Sequence, residues 1–323
     1  LRSALAHYMN GLYGTSKTKQ NITVTASGMQ GLALTALALI DSGDRVVCID
    51  PVWPNLGESF KIAGGQIDST TLIARDGRWH LDMEQLLAKL TNKTKVLLIN
   101  SPNNPTGWVC SAEEQKIILD HCRKQGIWIV SDDVYARLYQ HGSLAPGFQH
   151  LANADDLLIS INSFSKAWSM TGWRLGWITA PAALEKTFAH LTEFNIACPA
   201  GFIQEAGLAM IEQGEAEVSL LQHRLSKALT LTRTRLKHLA GVSFIEPDGA
   251  FYCFFSVRGL TDSLAFAHAI LEQTKVGLAP GLAFGPAGEG YLRLCYAQDE
   301  QILNEAFDRL DKGFNAVRNS LLK

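Results

Sequence analysis

Lys166 follows the apolar run "DLLISINS" inside the stretch "SFSKAWSMTGWRLGW", with Ser163, Ser165 and Arg174 close by. A primary amine there can form a Schiff base with a carbonyl compound, and a guanidinium beside serine hydroxyls can hold a phosphate. Four other apolar runs end in polar residues of equally pointed types. After "ITVTA" come Ser27, Gly28 and Met29, as at a helix start whose free N–H groups bind anions. "RVVCID" is followed by Pro51 and Trp53, "KVLLIN" leads into "SPNNPTG" with Asn104, and "GIWIVS" ends at Asp132 with Tyr135 three residues on.

Taken singly, these residues have ordinary structural readings. Asn104 before Pro105 is a turn signal, Asp132 a helix cap or ion-pair partner, Trp53 core, and Ser27 with Gly28 a plain cap and turn. Together they set a lysine, an acid, an asparagine, a tyrosine, an aromatic plate and a phosphate-type helix start at strand ends. That set suits a planar, phosphorylated, carbonyl-bearing cofactor.

To converge, the runs that precede these residues must lie side by side. From Ile22 to about Ala180 the chain alternates short β-branched runs, "NITVTAS", "RVVCID", "KVLLIN", "GIWIVSD", "DLLISINS" and "RLGWITA", with turns and helical patterns. Runs polar only at their ends suit strands buried on both faces, which predicts an α/β fold: a three-layer αβα large domain with a mostly parallel sheet. Ligands of such sheets bind outside the carboxyl ends of the strands, where the polar residues stand. Between two runs, "SAEEQKIILDHCRKQG" carries a complete set of helix signals: Ser111 as N-cap, Glu114 as its capping-box partner, Arg123 and Lys124 near the end, and Gly126 as the stop.

After Pro181 helical patterns dominate, and a smaller C-terminal α+β domain is expected from Glu215, dividing the chain into 1–214 and 215–323. Its expected elements are strands in "VSFIEPDGAFYCFFSV" and "GYLRLCYA", a helix around Ser263 to Gln273 and a closing helix from Asp299. Arg293, between Leu292 and Leu294, is awkward on such a strand unless it is paired.

The totals exclude several classes. With 323 residues and 47% hydrophobic content, two domains are expected. The 29 Lys and Arg against 31 Asp and Glu leave no basic field for nucleic acid or an anionic membrane. No apolar run approaches the ~20 residues of a membrane helix and no signal-peptide pattern is present, so a cytoplasmic location is expected. The six cysteines include no C-x-x-C pair and read as reduced, small apolar residues; the nine histidines show no ligand spacing, so no metal is expected. No G-x-G-x-x-G follows the first strand, which argues against a dehydrogenase. The chain opens in helical rhythm without Met, and a segment is expected to precede Leu1.

In order and spacing, "TASGMQGL", "DPVWPNL", "SPNNPTG", "SDDVYARL", "SFSKAWSMTGWRLGW", "PDGAFYCF" and "PGLAFGPAGEGYLRLCYA" resemble the fold type I pyridoxal-phosphate enzymes, specifically the class I/II aminotransferases similar to aspartate aminotransferase. The resemblance covers nearly all of the chain. It implies pyridoxal 5'-phosphate linked to Lys166, which also acts as general base, with Asp132 facing the pyridine nitrogen and Trp53 stacked on the ring. Asn104 and Tyr135 would bond the ring's 3′-oxygen, favouring its anionic form and lowering the imine pKa. Ser27, Gly28, Met29, Ser163, Ser165 and Arg174 would cup the phosphate, and Arg293 with Asn104 would hold the substrate. Asp133 is expected as a helix cap or surface residue, and Trp168, Trp173 and Trp177 as packing.

The implied activity is ping-pong transfer of the amino group of an L-amino acid, aspartate first, to a 2-oxo acid such as 2-oxoglutarate, by a homodimer. Other chemistry on the same scaffold, such as C–S β-elimination, decarboxylation or racemisation, is the nearest rival. A non-catalytic aminotransferase-like sensing module is the rival of another class. The intact set of Lys166, Asp132, Asn104, Tyr135, Arg174 and Arg293 argues against it.

Overall fold

The computed structural model describes residues 1–322. Strands β1 (Ile22–Thr25), β2 (Arg45–Asp50) and β3 (Gln66–Thr71) are followed by a separate hairpin of β4 (Ile73–Arg75) and β5 (Arg78–His80). With β6 (Thr94–Asn100), β7 (Trp128–Asp132), β8 (Leu158–Ser163) and β9 (Gly176–Thr179), the first three form a seven-stranded sheet in the order β1-β9-β8-β7-β6-β2-β3. The neighbours from β8 to β3 pair in parallel, and only β9 is reversed, antiparallel to both β8 and β1. The carboxyl ends of β1, β2, β6, β7 and β8 therefore share one edge with the beginning of β9.

The helices are α1 (Arg2–Tyr13), α2 (Gly28–Leu39), α3 (Asn55–Ile62), α4 (Met83–Lys89), α5 (Ala112–Gln125), α6 (Phe164–Ala167), α7 (Glu185–Ile196), α8 (Gly201–Gln213), α9 (Glu215–His238), α10 (Ser263–Thr274) and α11 (Glu300–Leu321). Because the pleat sends successive residues to opposite faces, each apolar run feeds two cores. Val46, Cys48, Val96, Leu98 and Val130 pack with Leu32, Leu56, Phe60 and Phe188 of α2, α3 and α7. Val47, Ile49, Leu97, Ile99 and Ile129 pack with Leu86 of α4 and with Ile118, Leu119 and Cys122 of α5. Three layers result, as the continuous apolar runs require. In α5 the Ser111 hydroxyl accepts from Glu114 N, the Glu114 carboxylate accepts from Ser111 N at 2.8 Å, and Gly126 closes the helix at φ 70°.

A second, antiparallel sheet joins β10 (Val242–Ser243), β11 (Tyr252–Val257), β12 (Ala279–Pro280) and β13 (Tyr291–Cys295) in the order β10-β11-β13-β12. It shares a core with the three last long helices: Phe255 and Leu292 pack among Leu225, Leu229, Phe266, Phe307 and Phe314. The run "VSFIEPDGAFYCFFSV" is two strands rather than one, divided by the segment with Pro247 and Gly249. Edge strand β3 and the hairpin of β4 and β5 have no counterpart among the sequence expectations. Neither is flanked on both sides by other strands, so neither needs a continuous apolar run. Among the described residues no helix is long and apolar enough to cross a membrane.

Gly176 lets β9 enter the sheet. A Cβ there would stand 2.7 Å from both Asn162 O and Gly28 N, so β9 passes between β8 and the start of α2 only without a side chain. Gly176→Ala is expected to lower unfolding stability by about 1–3 kcal/mol through overpacking. Gly172→Ala, where a Cβ meets nothing within 4 Å, should stay within about 1 kcal/mol of the parent. Urea unfolding of the two variants side by side measures both.

Candidate active site

At the shared edge lies a cavity of about 270 Å³. Every residue expected to hold cofactor or substrate lines it: Ser27, Gly28, Met29, Trp53, Asn104, Asp132, Tyr135, Ser163, Ser165, Lys166, Arg174 and Arg293. All but Arg293 come from the edge of the seven-stranded sheet. Arg293 comes from β13 of the smaller one.

Asp132 ends β7, is 8% exposed, and receives a 3.3 Å hydrogen bond from Val134 N on one carboxylate oxygen. Burial pushes its carboxyl up to about 7, against the pull of that N–H and of the Lys166 amine. Lys166 lies in the short α6, its Nζ 5.5 Å from the Tyr135 ring centre and 5.6 Å from that of Phe251. Burial lowers its pKa, and the Asp132 carboxylate opposes the shift. A lysine disfavoured as the ammonium ion keeps more of its amine unprotonated at neutral pH, where it can act as nucleophile or take a proton.

Asn104 is fixed from two sides. Its N–H donates to Asn100 Oδ1 at 2.8 Å, and Asn100 Nδ2 donates to Asp132 O at 3.0 Å, tying the ends of β6 and β7 together. Its Oδ1 accepts from Arg293 Nη1 at 2.8 Å. The Arg293 guanidinium lies 4.3 Å from the Tyr252 ring centre and 4.8 Å from that of Phe284, so two aromatic faces and one amide replace the water a cation would otherwise keep. Arg293 Nε is buried with no partner among the described residues. The awkward strand position thus has its explanation. Trp53, 39% exposed, stands at the mouth, with its N–H bonded to Asn104 O at 2.7 Å.

At the other end, Ser27 caps α2 by accepting from Gln30 N, while the N–H groups of Gly28 and Met29 have no acceptor among the described residues. Ser163 caps α6 by accepting from Ser165 N at 3.1 Å. Arg174 takes the left-handed conformation, φ 53°, and donates to Thr171 O at 2.9 Å. Its side chain lines the cavity near the positive end of α2, and together these groups form a cradle for an anion.

Two expectations are corrected. Asp133 is neither a cap nor at the surface: it is 4% exposed, its Oδ1 accepts from the Ser131 hydroxyl, and burial pushes it up to about 7. The pleat does turn it away from Asp132, but the far side holds Tyr13, Asn162 and Trp177 rather than water. Trp173 is 47% exposed, whereas Trp168 and Trp177 are buried.

Sequence reasoning passed over Asn55, Asn100, Thr171 and Tyr252, which also line the cavity. Asn100 carried a legible signal, being the polar end of an apolar run. Tyr252 carried little, because a tyrosine in an apolar strand reads as core. Arg137, two residues past Tyr135, is buried and pairs with Glu215 at the start of α9 and with the Tyr8 hydroxyl, anchoring the loop that presents Tyr135.

The family model described as aminotransferase class I and II matches residues 1–310. The aspartate aminotransferase of Pyrococcus horikoshii is 33% identical over 322 residues, 98% of this chain and 81% of that one. Among solved structures, the aspartate aminotransferase of Thermotoga maritima superposes with a TM-score of 0.89 at 32% identity, covering 97% of this chain and 81% of that one. The aromatic aminotransferase of Pyrococcus horikoshii gives a TM-score of 0.92 at 29% identity, covering 98% and 85%.

The raised Asp132 carboxyl has a consequence for stability. The folded chain holds this proton to about pH 7, while the unfolded chain releases it near pH ~4, so this group's contribution to stability falls as pH rises between the two. In protein dialysed free of small molecules, the urea midpoint should fall less steeply across this window in Asp132→Asn than in the parent. Equal slopes would show that the carboxylate is not desolvated.

Proposed function

The chain belongs to the class I and II aminotransferases, and from that premise we propose that its cavity holds pyridoxal 5'-phosphate and that aspartate is its preferred amino donor. The observation that carries the cofactor reading is Asp132, a buried carboxylate with one side-chain hydrogen bond, which shares its cavity with an amine, an aromatic plate and an anion cradle. A cationic ring nitrogen is the partner such a carboxylate lacks.

The residues fit the cofactor part by part. Ser27, Gly28, Met29, Ser163, Ser165 and Arg174 would hold its phosphate, Asn104 and Tyr135 its 3′-oxygen, Trp53 its ring face, and Lys166 Nζ its aldehyde carbon. When bound, it supplies an electron sink that stabilises negative charge at the substrate Cα. Asp132 would keep the proton on its ring nitrogen. Arg293 and Asn104 take the substrate α-carboxylate, which fixes the direction in which the Cα–H bond points. Lys166 Nζ, freed from the aldehyde carbon by the substrate's amine and with its pKa lowered by burial, would take the proton from Cα.

Because Arg293 belongs to the smaller sheet, a carboxylate bound between it and the larger sheet draws the two together and excludes water. We place the boundary of the two domains at Glu215, where α9 begins. The proposed working form is a homodimer. Phe194, Phe202 and Ile62, 83%, 74% and 86% exposed, are large apolar side chains that a second copy could cover.

Aspartate as donor is supported by the aspartate aminotransferases among the relatives. Among the described residues the cations lining the cavity are Lys166, Arg174 and Arg293, each already given a role. The second carboxylate of aspartate would then meet a cation from outside this lining, and the second copy is the proposed source. A panel of aspartate, alanine and phenylalanine against 2-oxoglutarate tests the donor. Aspartate should lead in kcat/KM by about 10-fold or more, equivalent to ~1.4 kcal/mol. A lead for phenylalanine would overturn the choice of donor, and pyruvate with ammonia from a β-substituted donor would point to elimination. Lys166→Ala should lose the linked cofactor absorbance and about 10²–10⁴-fold in turnover.

A further inference from the structure

Resting on this cofactor reading, we propose that Tyr252 is a positioning residue whose hydroxyl donates to the Tyr135 oxygen, leaving the Tyr135 proton free for the oxygen held in the cavity. The two phenol oxygens lie 3.0 Å apart in a buried contact, the one hydrogen bond made by either phenol among the described residues. Two phenols carry two protons and spend one between them. The direction of that bond decides whether Tyr135 keeps a proton to offer the cavity.

The surroundings set the direction. Tyr252 begins β11 opposite Cys295, and Arg293, two residues before Cys295 on the same face of β13 and paired with Phe254, folds its guanidinium over the Tyr252 ring at 4.3 Å. Burial lifts the pKa of both phenols, Tyr135 well above its ordinary range, while the bond to Tyr135 and the Arg293 charge pull Tyr252 back. With a permanent cation 4.3 Å from its ring centre, against an amine 5.5 Å from that of Tyr135, Tyr252 is the better donor. The other titratable groups around the pair are Lys166, whose amine lies 5.5 Å from the Tyr135 ring centre, Asp132, which raises Tyr135 further, and Cys295, which raises Tyr252; the Arg293 charge lowers Tyr135 as well. With all of them present Tyr135 still stands well above its ordinary range. The 3.0 Å contact also joins β11 of the small sheet to the loop after β7, so the donor arrives with the sheet that carries Arg293.

Tyr252→Phe removes one oxygen and keeps the ring beneath Arg293. In protein loaded with pyridoxal 5'-phosphate, a pH titration of the Lys166-linked absorbance should show a midpoint raised by about 0.5–1 unit, the size of one neutral hydrogen bond. Tyr135→Phe should raise it further, and the double variant no further than Tyr135→Phe alone, since Tyr252 acts through Tyr135. A Tyr252→Phe midpoint within about 0.2 unit of the parent, or an equal shift in the Tyr135→Phe background, overturns the proposal and leaves the cofactor reading standing. A parent protein that develops no linked absorbance overturns both.

Discussion

A carboxylate buried at the end of β7, with a backbone N–H as its side-chain hydrogen-bond partner, is the charge around which this site is arranged. Removing a carboxylate from water is costly unless an opposite charge or donors replace the solvent. The chain leaves Asp132 short of both, so its carboxyl rises to about 7. Lys166 shares the cavity and is pushed the opposite way by the same burial. In isolation the pair is an expense to the fold. With a cationic ring nitrogen against Asp132, as proposed, the same burial strengthens the attraction.

The seven-stranded sheet makes this convergence possible by directing five strand ends to one edge. The reversal of β9 adds a sixth contribution, because a strand that begins at that edge delivers Arg174, two residues before it, beside the anion cradle. The edge is also cross-tied. Asn100 spans from the backbone of Asp132 to the N–H of Asn104, so two residues of the site are held to one another through a third that touches both. Gly176 is part of the same arrangement, since only its missing side chain lets β9 lie against the start of α2.

The smaller sheet closes the cavity from the other side with Arg293 and Tyr252. Two rings and the Asn104 amide hold the Arg293 guanidinium in place. The strand that carries Tyr252 meets the loop that carries Tyr135 through their hydroxyls, and Arg137 ties that loop to the start of α9. The site is thus shared between two sheets joined by side-chain contacts at the cavity, an arrangement in which a ligand bridging them acts on both.

Local chemistry was legible in the sequence. Runs apolar except at their ends suited strands covered on both faces, and ligands of such sheets bind at the carboxyl ends, so Asp132, Asn104, Lys166 and the start of α2 were readable as a set before any packing was known. The cap of α5 was equally readable, because Ser111 and Glu114 bond within one turn. Tertiary structure decided what depends on which neighbour arrives. Asp133 looked like a surface residue because its own strand says only that it faces away from Asp132; the α1 layer turned that face into interior. Tyr252 carried no signal of its own because its hydroxyl partner lies 117 residues away. Edge strand β3, the reversal of β9 and the exposure of Trp173 follow the same rule, since pairing partner, direction and solvent contact are properties of assembled layers rather than of any one run.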